Sequence, residues 1–207
     1  MSVNLYIVRH GNTFGPTDTV RRVGARTDLP LVETGHKQAN SLGNFFKDRG
    51  IIFAAIYSSP LERTRQTAGA INDNTASTTP IRILPFLKEI DYGIDDGRPE
   101  DDVIARLGAE TLAKWEREAV LPDGWCVDVP SVKEGWLMLR DELNSHGGSP
   151  CLCVTSNGIA RYALMAYGLE GVVPHRKLRT GAFGHIRFEN ENATLIAWDV
   201  RPGELQR

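Results

Sequence analysis

Short apolar runs rich in β-branched residues alternate along this chain with stretches whose apolar residues recur at helical spacing. The first kind reads as a buried strand and the second as an amphipathic helix. Strands joined by helical crossovers build a mainly parallel sheet with both faces covered. The expected fold class is therefore α/β: a three-layer α/β/α sandwich around a mainly parallel central sheet.

Val3 to Val8 is such a strand, and it stops at Arg9-His10-Gly11. A helix is expected from Thr34, read as its N-cap, to Asp48, with Ala39, Leu42, Phe45 and Phe46 in step. Ile51 to Tyr57 is the next strand. Ser59 then reads as a cap, with Pro60 opening a helix that runs to Ile71. Ile81 to Leu84 is a short strand, and Glu89 to Pro99, rich in Gly, Asp and Pro, is a loop. Pro99 to Val120 reads as one or two helices broken near Gly108, and Val132 to Leu143 as another. A strand over Cys151 to Thr155 leads through Ser156-Asn157-Gly158 into a helix ending near Tyr167. Ala182 to Phe188 and Ala193 to Asp199 form a hairpin about Asn190-Glu191-Asn192. No repeat or linker interrupts the series, so residues 1–207 are expected to form one domain.

Composition narrows the function classes. With 41% hydrophobic and 24% charged residues and a net charge of −2, the chain carries no basic field for nucleic acid or an anionic membrane. No apolar stretch approaches the roughly 20 residues needed to cross a bilayer. The first residues lack a charged n-region and a long apolar h-region, so a soluble, cytoplasmic protein is expected. Three cysteines argue against a disulfide framework, and Cys151 and Cys153 are read as facing opposite sides of a strand, unable to bridge. No cysteine or histidine pair has zinc-ligand spacing, so neither metal nor cofactor is expected.

Ligands of open α/β sheets bind at the carboxyl ends of the strands. Arg9, His10 and Gly11 follow the first strand, Arg63 and Arg65 the second, Glu89 the third, and Ser156-Asn157-Gly158 the fourth. Arginine grips a phosphate through parallel hydrogen bonds. Neutral imidazole is a nucleophile for phosphoryl transfer, and a carboxylic acid such as Glu89 can protonate a leaving oxygen. The helix N-termini after Ser59 and Ser156 offer backbone donors to an anion. Arg65 reads as surface. Arg21, Arg22 and Arg26 either greet an anionic substrate or sit in a solvated loop.

Arg9-His10-Gly11 after an N-terminal strand resembles the histidine phosphatase superfamily, the phosphoglycerate mutase-like proteins. Asp28-Leu29-Pro30-Leu31 with Thr34-Gly35, and Ser58-Ser59-Pro60-Leu61 with Arg63-Thr64, agree with it in order. Glu89-Ile90-Asp91-Tyr92-Gly93 is similar to the family's glutamate loop, and Val154-Thr155-Ser156-Asn157-Gly158 occupies the place of its second histidine motif. The resemblance implies a phosphoglycerate mutase-like fold and a metal-independent reaction. His10 would be the phospho-accepting nucleophile, Arg9 and Arg63 the phosphate clamp, and Glu89 the proton donor. Asn157 and Gly158 would complete the phosphate site, with Asn12 and Arg26 toward the substrate.

The departures bear on activity. Asn157 stands where the family has a second histidine; it keeps a hydrogen-bond donor but supplies no charge. Asn12, Phe14-Gly15-Pro16 and Asp95-Asp96-Gly97 also differ from the usual residues near the substrate. The first expectation is a phosphatase acting on a small phosphomonoester through a phosphohistidine at His10. Its rival is a protein that binds phosphate or a phospholigand with catalysis lost, and a mutase ranks below both. His185 is a candidate to replace the missing imidazole, and Asn157 a candidate helix cap. The acidic loop from Asp95 to Asp102 either covers the site or is solvated. A homodimer is the default assembly.

Overall fold

A computed structural model describes residues 2–204. Its centre is a six-stranded sheet in the order β3-β2-β4-β1-β5-β6. β1 (Ser2–Arg9), β2 (Ala55–Ser58), β3 (Ile81–Ile83) and β4 (Cys151–Thr155) run parallel. β5 (Phe183–Glu189) pairs antiparallel with β1, and β6 (Asn192–Val200) antiparallel with β5. The parallel strands are linked by helices, and the hairpin closes one edge through Asn190, whose φ of 57° suits the turn.

Strand residues sort by parity. Val3, Leu5 and Ile7 point into one core, with Trp136, Leu139, Ile159 and Tyr162 of α5 (Val129–Leu143) and α6 (Asn157–Ala166). Tyr6 and Val8 point into the other, with Leu42, Phe45, Phe46, Ala68 and Ile71 of α1 (Glu33–Asp48) and α2 (Glu62–Asn74). A side-chain period of two thus feeds helical layers on both sides of the sheet. Between β3 and α5 lie α3 (Glu100–Leu107) and α4 (Ala109–Glu118), which add Val103 and Trp115 to the first core. Gly108, at φ 81°, breaks the two apart where the sequence placed the break.

Several boundaries differ from the sequence reading. Thr34 lies inside α1, whose N-cap is Val32 and which has no side-chain cap. Ser59 does not cap α2: its Oγ accepts from the Leu61 N–H at 3.2 Å, bracing the turn before a helix that starts at Glu62 and runs to Asn74. α5 begins three residues earlier than expected because Asp128 caps it, accepting from the Ser131 N–H at 3.1 Å. Cys151 and Cys153 share one core, not opposite faces, since residues two apart on a strand point the same way. They remain free thiols, set roughly 6.6 Å apart along one extended strand.

Candidate active site

β1 and β4 are neighbours at the centre of the sheet, and the residues that follow them meet at their carboxyl ends. His10 continues β1 there: its N–H donates to the Thr155 carbonyl at 3.1 Å, and only 6% of the residue is exposed. Its Nδ1 lies 2.7 Å from the Gly11 carbonyl oxygen. A carbonyl only accepts, so Nδ1 carries the proton and Nε2 keeps its lone pair. Arg63 Nε donates to that lone pair at 3.3 Å. Burial, then the Arg63 and Arg9 charges, hold the imidazole well below its ordinary pKa of 6.5, so it is neutral at physiological pH. An imidazole in this tautomer can attack an electrophile through Nε2 once that lone pair is released by Arg63.

Two glycines make the placement feasible. Gly11 packs on the start of α1 so closely that a Cβ would stand 2.4 Å from the Gly35 carbonyl oxygen. A Cβ on Gly158 would stand 2.1 Å from Glu89 Oε1. Glu89, 6% exposed, accepts from the Gly158 N–H at 3.2 Å and from its neighbour Ile90 N–H at 3.0 Å. The loop after β3 therefore presents its carboxylate against the first turn of α6.

The cations converge from two strands. Arg9 Nη1 donates to the Leu178 carbonyl at 2.8 Å, while its buried Nε has no hydrogen-bond partner. Arg63 is fully buried and also donates to the Thr27 and Gly24 carbonyls at 2.9 and 3.3 Å. These bonds use part of each guanidinium's five donors. Asn157 is the first residue of α6, with Ser156 at the cap position, so it does not act as the helix cap. Its Oδ1 accepts from the Leu178 N–H at 2.8 Å, which fixes the amide orientation and leaves Nδ2 as a donor toward the cleft.

Arg9, His10, Asn12, Glu89 and Asn157 all line one cleft of about 460 Å3. Asn12 is engaged on both sides of its amide, accepting from Thr180 Oγ1 at 2.6 Å and donating to Thr34 Oγ1 at 3.4 Å. Arg26, Arg63 and Gly158 are not among the lining residues: Arg63 is fully buried against His10 Nε2, and Arg26 turns away to Asp91 Oδ1 at 3.0 Å and the Gly93 carbonyl. Arg21 and Arg22 do line it. Arg22 pairs with Glu100 and lies over the rings of Tyr92 and Trp125.

His185 offers no replacement imidazole, because it stacks on Tyr6 at 4.3 Å and bonds Asn4 at 2.8 Å within the sheet. Backbone donors of the two helix N-termini are partly spent, Glu62 N–H on Asp28 and Gly158 N–H on Glu89. The acidic loop is mainly structural: buried Asp95 holds Arg106 and the Trp125 indole, and Asp96 holds Gly24, Arg26 and Thr27. Among the described residues, no group of three His, Cys, Asp or Glu side chains is placed to hold a metal ion.

The sequence reading missed the segment between α6 and β5. Leu178 bonds both Arg9 and Asn157, Thr180 bonds Asn12, and Arg179 ties the segment to Asp199 and Glu204. It also missed Arg161, a buried arginine whose only sequence sign is its place one turn after Asn157.

A family profile described as histidine phosphatase superfamily (branch 1) matches residues 5–201. Fructose-2,6-bisphosphatase TIGAR B of Danio rerio is 38% identical over 99 residues, 47% of this chain but only 37% of that relative's length. The probable phosphoglycerate mutase GpmB of Cronobacter sakazakii is 28% identical over 208 residues, 96% of this chain and 91% of the relative. Phosphoglycerate mutase from Bacillus anthracis str. Sterne superposes with a TM-score of 0.82 at 23% identity, covering 98% of this chain and 94% of that one. A mycobacterial glucosyl-3-phosphoglycerate phosphatase superposes with 0.77 at 20%, covering 97% and 100%. At such identities the structural likeness speaks for the fold.

Proposed function

From the premise that this chain belongs to the histidine phosphatase superfamily, we propose that it is a metal-independent phosphatase working through a phosphohistidine on His10. The observation that carries this reading is His10, which lines the cleft with a neutral, buried ring whose Nδ1 proton is bound by the Gly11 carbonyl and whose Nε2 lone pair faces the buried Arg63. In the proposed reaction Nε2 attacks the phosphorus of a small phosphomonoester. The N–P bond forms as the ester P–O bond breaks, and Glu89 is the group placed to pass a proton to the leaving oxygen. Water then attacks phosphorus, Glu89 takes its proton, and the N–P bond breaks to release inorganic phosphate. Arg9, Arg63 and the Asn157 amide would hold the phosphoryl oxygens, since such transfer relies on position and charge more than on covalent chemistry.

A second reading, binding of phosphate without turnover, is favoured by Asn157 alone. Its amide supplies a donor but not the cation the family places there, and loss of one transition-state donor costs about 10² to 10³ in rate. Hydrolysis of an aryl phosphate by wild type, His10→Ala, Asn157→Ala and Asn157→His, each with chelator present, separates the two. A phosphatase gives an active wild type, an inactive His10→Ala and no gain from Asn157→His. A binder gives an inert wild type that gains activity with Asn157→His.

A further inference from the structure

Arg161, in the second turn of α6, has a side chain that is 0% exposed, and the phosphate chemistry described above leaves it unused. Its Nε donates to the Asn157 carbonyl at 3.4 Å, its Nη1 to the Trp115 carbonyl, and the guanidinium sits 4.0 Å from the Trp115 ring centroid. The Trp115 carbonyl already accepts from the Ala119 N–H at 3.1 Å, so it does not need the guanidinium. Nη2 has no hydrogen-bond partner, and Glu116 Oε2 faces it from 3.7 Å. Taking a cation out of water is costly, and an apolar residue of similar volume often serves a fold as well or better. A buried donor left unpaired therefore calls for a reason outside packing.

Its position supplies one. Arg161 touches two residues that line the cleft, Asn157 and Glu116, and does not line it itself. The Asn157 amide offers the cleft a donor but no charge, and Arg161 holds the backbone of that same residue. Arg161 and Lys177 share the one carboxylate of Glu116, with Lys177 Nζ 3.8 Å from its Oε2, so this group of three keeps a net positive charge. The charge is felt in the phosphate clamp: burial first holds Arg9 below its ordinary pKa, and Arg161 adds to the shift. A buried guanidinium stays protonated and is little screened by salt, so its field crosses the width of one residue. We propose that Arg161 is a positioning residue of the phosphate site, fixing the first turn of α6 from behind Asn157 and supplying the positive charge that the asparagine lacks. The inference rests on the phosphate site of the proposed function and not on turnover.

The test is calorimetric affinity for inorganic phosphate, from neutral to alkaline pH, in wild type, Arg161→Met, Arg161→Gln and Arg161→Lys. The two neutral variants should bind about tenfold more weakly, as for loss of a unit charge several ångströms away at a protein's effective dielectric. Arg161→Lys keeps a charge, but burial lowers the pKa of an ammonium into a range where it can lose its proton. Its affinity relative to wild type should start near one and fall toward that of the neutral variants as pH rises; the ratio cancels the ionisation of phosphate itself. A ratio that stays near one while the neutral variants bind about tenfold more weakly equally supports the charge. A side chain that only packs would lose affinity alike in all three variants at every pH, and that result overturns the inference. Unchanged affinity in Arg161→Met and Arg161→Gln also overturns it and leaves the phosphate site standing. If neither neutral variant folds, Arg161→Lys decides: a ratio that falls with pH upholds the inference and a constant one overturns it. A wild type that binds no phosphate takes down the site and the inference together.

Discussion

The Nδ1 proton of His10 is bound by the carbonyl of its own neighbour, so the tautomer is set by local backbone and its charge state by burial beside two arginines. This has a kinetic consequence. The neutral imidazole persists below the ordinary histidine range, so the acid limb of kcat/KM due to His10 should lie below pH 6.5. An acid limb centred at 6.5 in a pH–rate profile would contradict it. Asn157 allows a sharper test, because Asn157→Asp keeps an oxygen for the Leu178 N–H but exchanges the Nδ2 donor for a carboxylate. The variant should melt near wild type in a thermal scan yet lose inorganic phosphate binding by calorimetry. Gly158→Ala should fail differently. Its Cβ would stand 2.1 Å from Glu89 Oε1, so overpacking should cost about 1–3 kcal/mol in urea denaturation while activity drops with the displaced carboxylate.

At the scale of elements, the site depends on how β1 is flanked. β4 on one side delivers Asn157, and β5 on the other is preceded by the segment whose Leu178 and Thr180 hold Arg9, Asn157 and Asn12. That segment is tied down by Arg179, which bonds Asp199 and Glu204. Arg179→Met should therefore raise KM more than it lowers stability, measured by steady-state kinetics beside a urea melt. The β1–β5 pair also carries a titration. His185 stacks on Tyr6 between these strands, and burial followed by the Arg187 charge lowers its pKa to about 4. An unfolded histidine takes up its proton near 6.5, whereas the folded one resists until about 4. The unfolded state binds more protons inside that window, so stability should fall as pH drops from 6.5 to 4. Replacing the ring in His185→Gln should flatten that part of the melting-temperature profile, and an unchanged slope would sink the assignment.

Across the whole molecule, the sheet separates two cores with different duties. The α1–α2 side is an aromatic cluster of Tyr6, Phe45, Phe46, Phe53 and Phe183, whereas the α5–α6 side includes the Trp115 that stacks on Arg161 behind the cleft. Phe46→Ala should cost about 3–5 kcal/mol in denaturant while leaving KM near wild type, because the cavity it opens is on the far face of the sheet from Trp115. Among the described residues no helix is long and apolar enough to cross a membrane.

The sequence by itself determined the alternation of strand and helix and the order in which His10, Arg63, Glu89 and Asn157 arrive at strand ends. These follow from periodicity and from motifs whose residues are close in the chain. Local signals misplaced the caps, since Thr34 and Ser59 have the right side chains but the chain turns elsewhere. Tertiary structure alone decided that Arg26 faces Asp91 instead of the cleft, that Leu178 binds Arg9 and Asn157 together, and that Glu116, Lys177 and Arg161 meet. Arg9 and Leu178 are separated by 169 positions, and Arg161 and Trp115 by 46. No local periodicity encodes such pairs; they exist because strand order and packing bring distant backbone carbonyls within reach of buried guanidinium groups that must be satisfied.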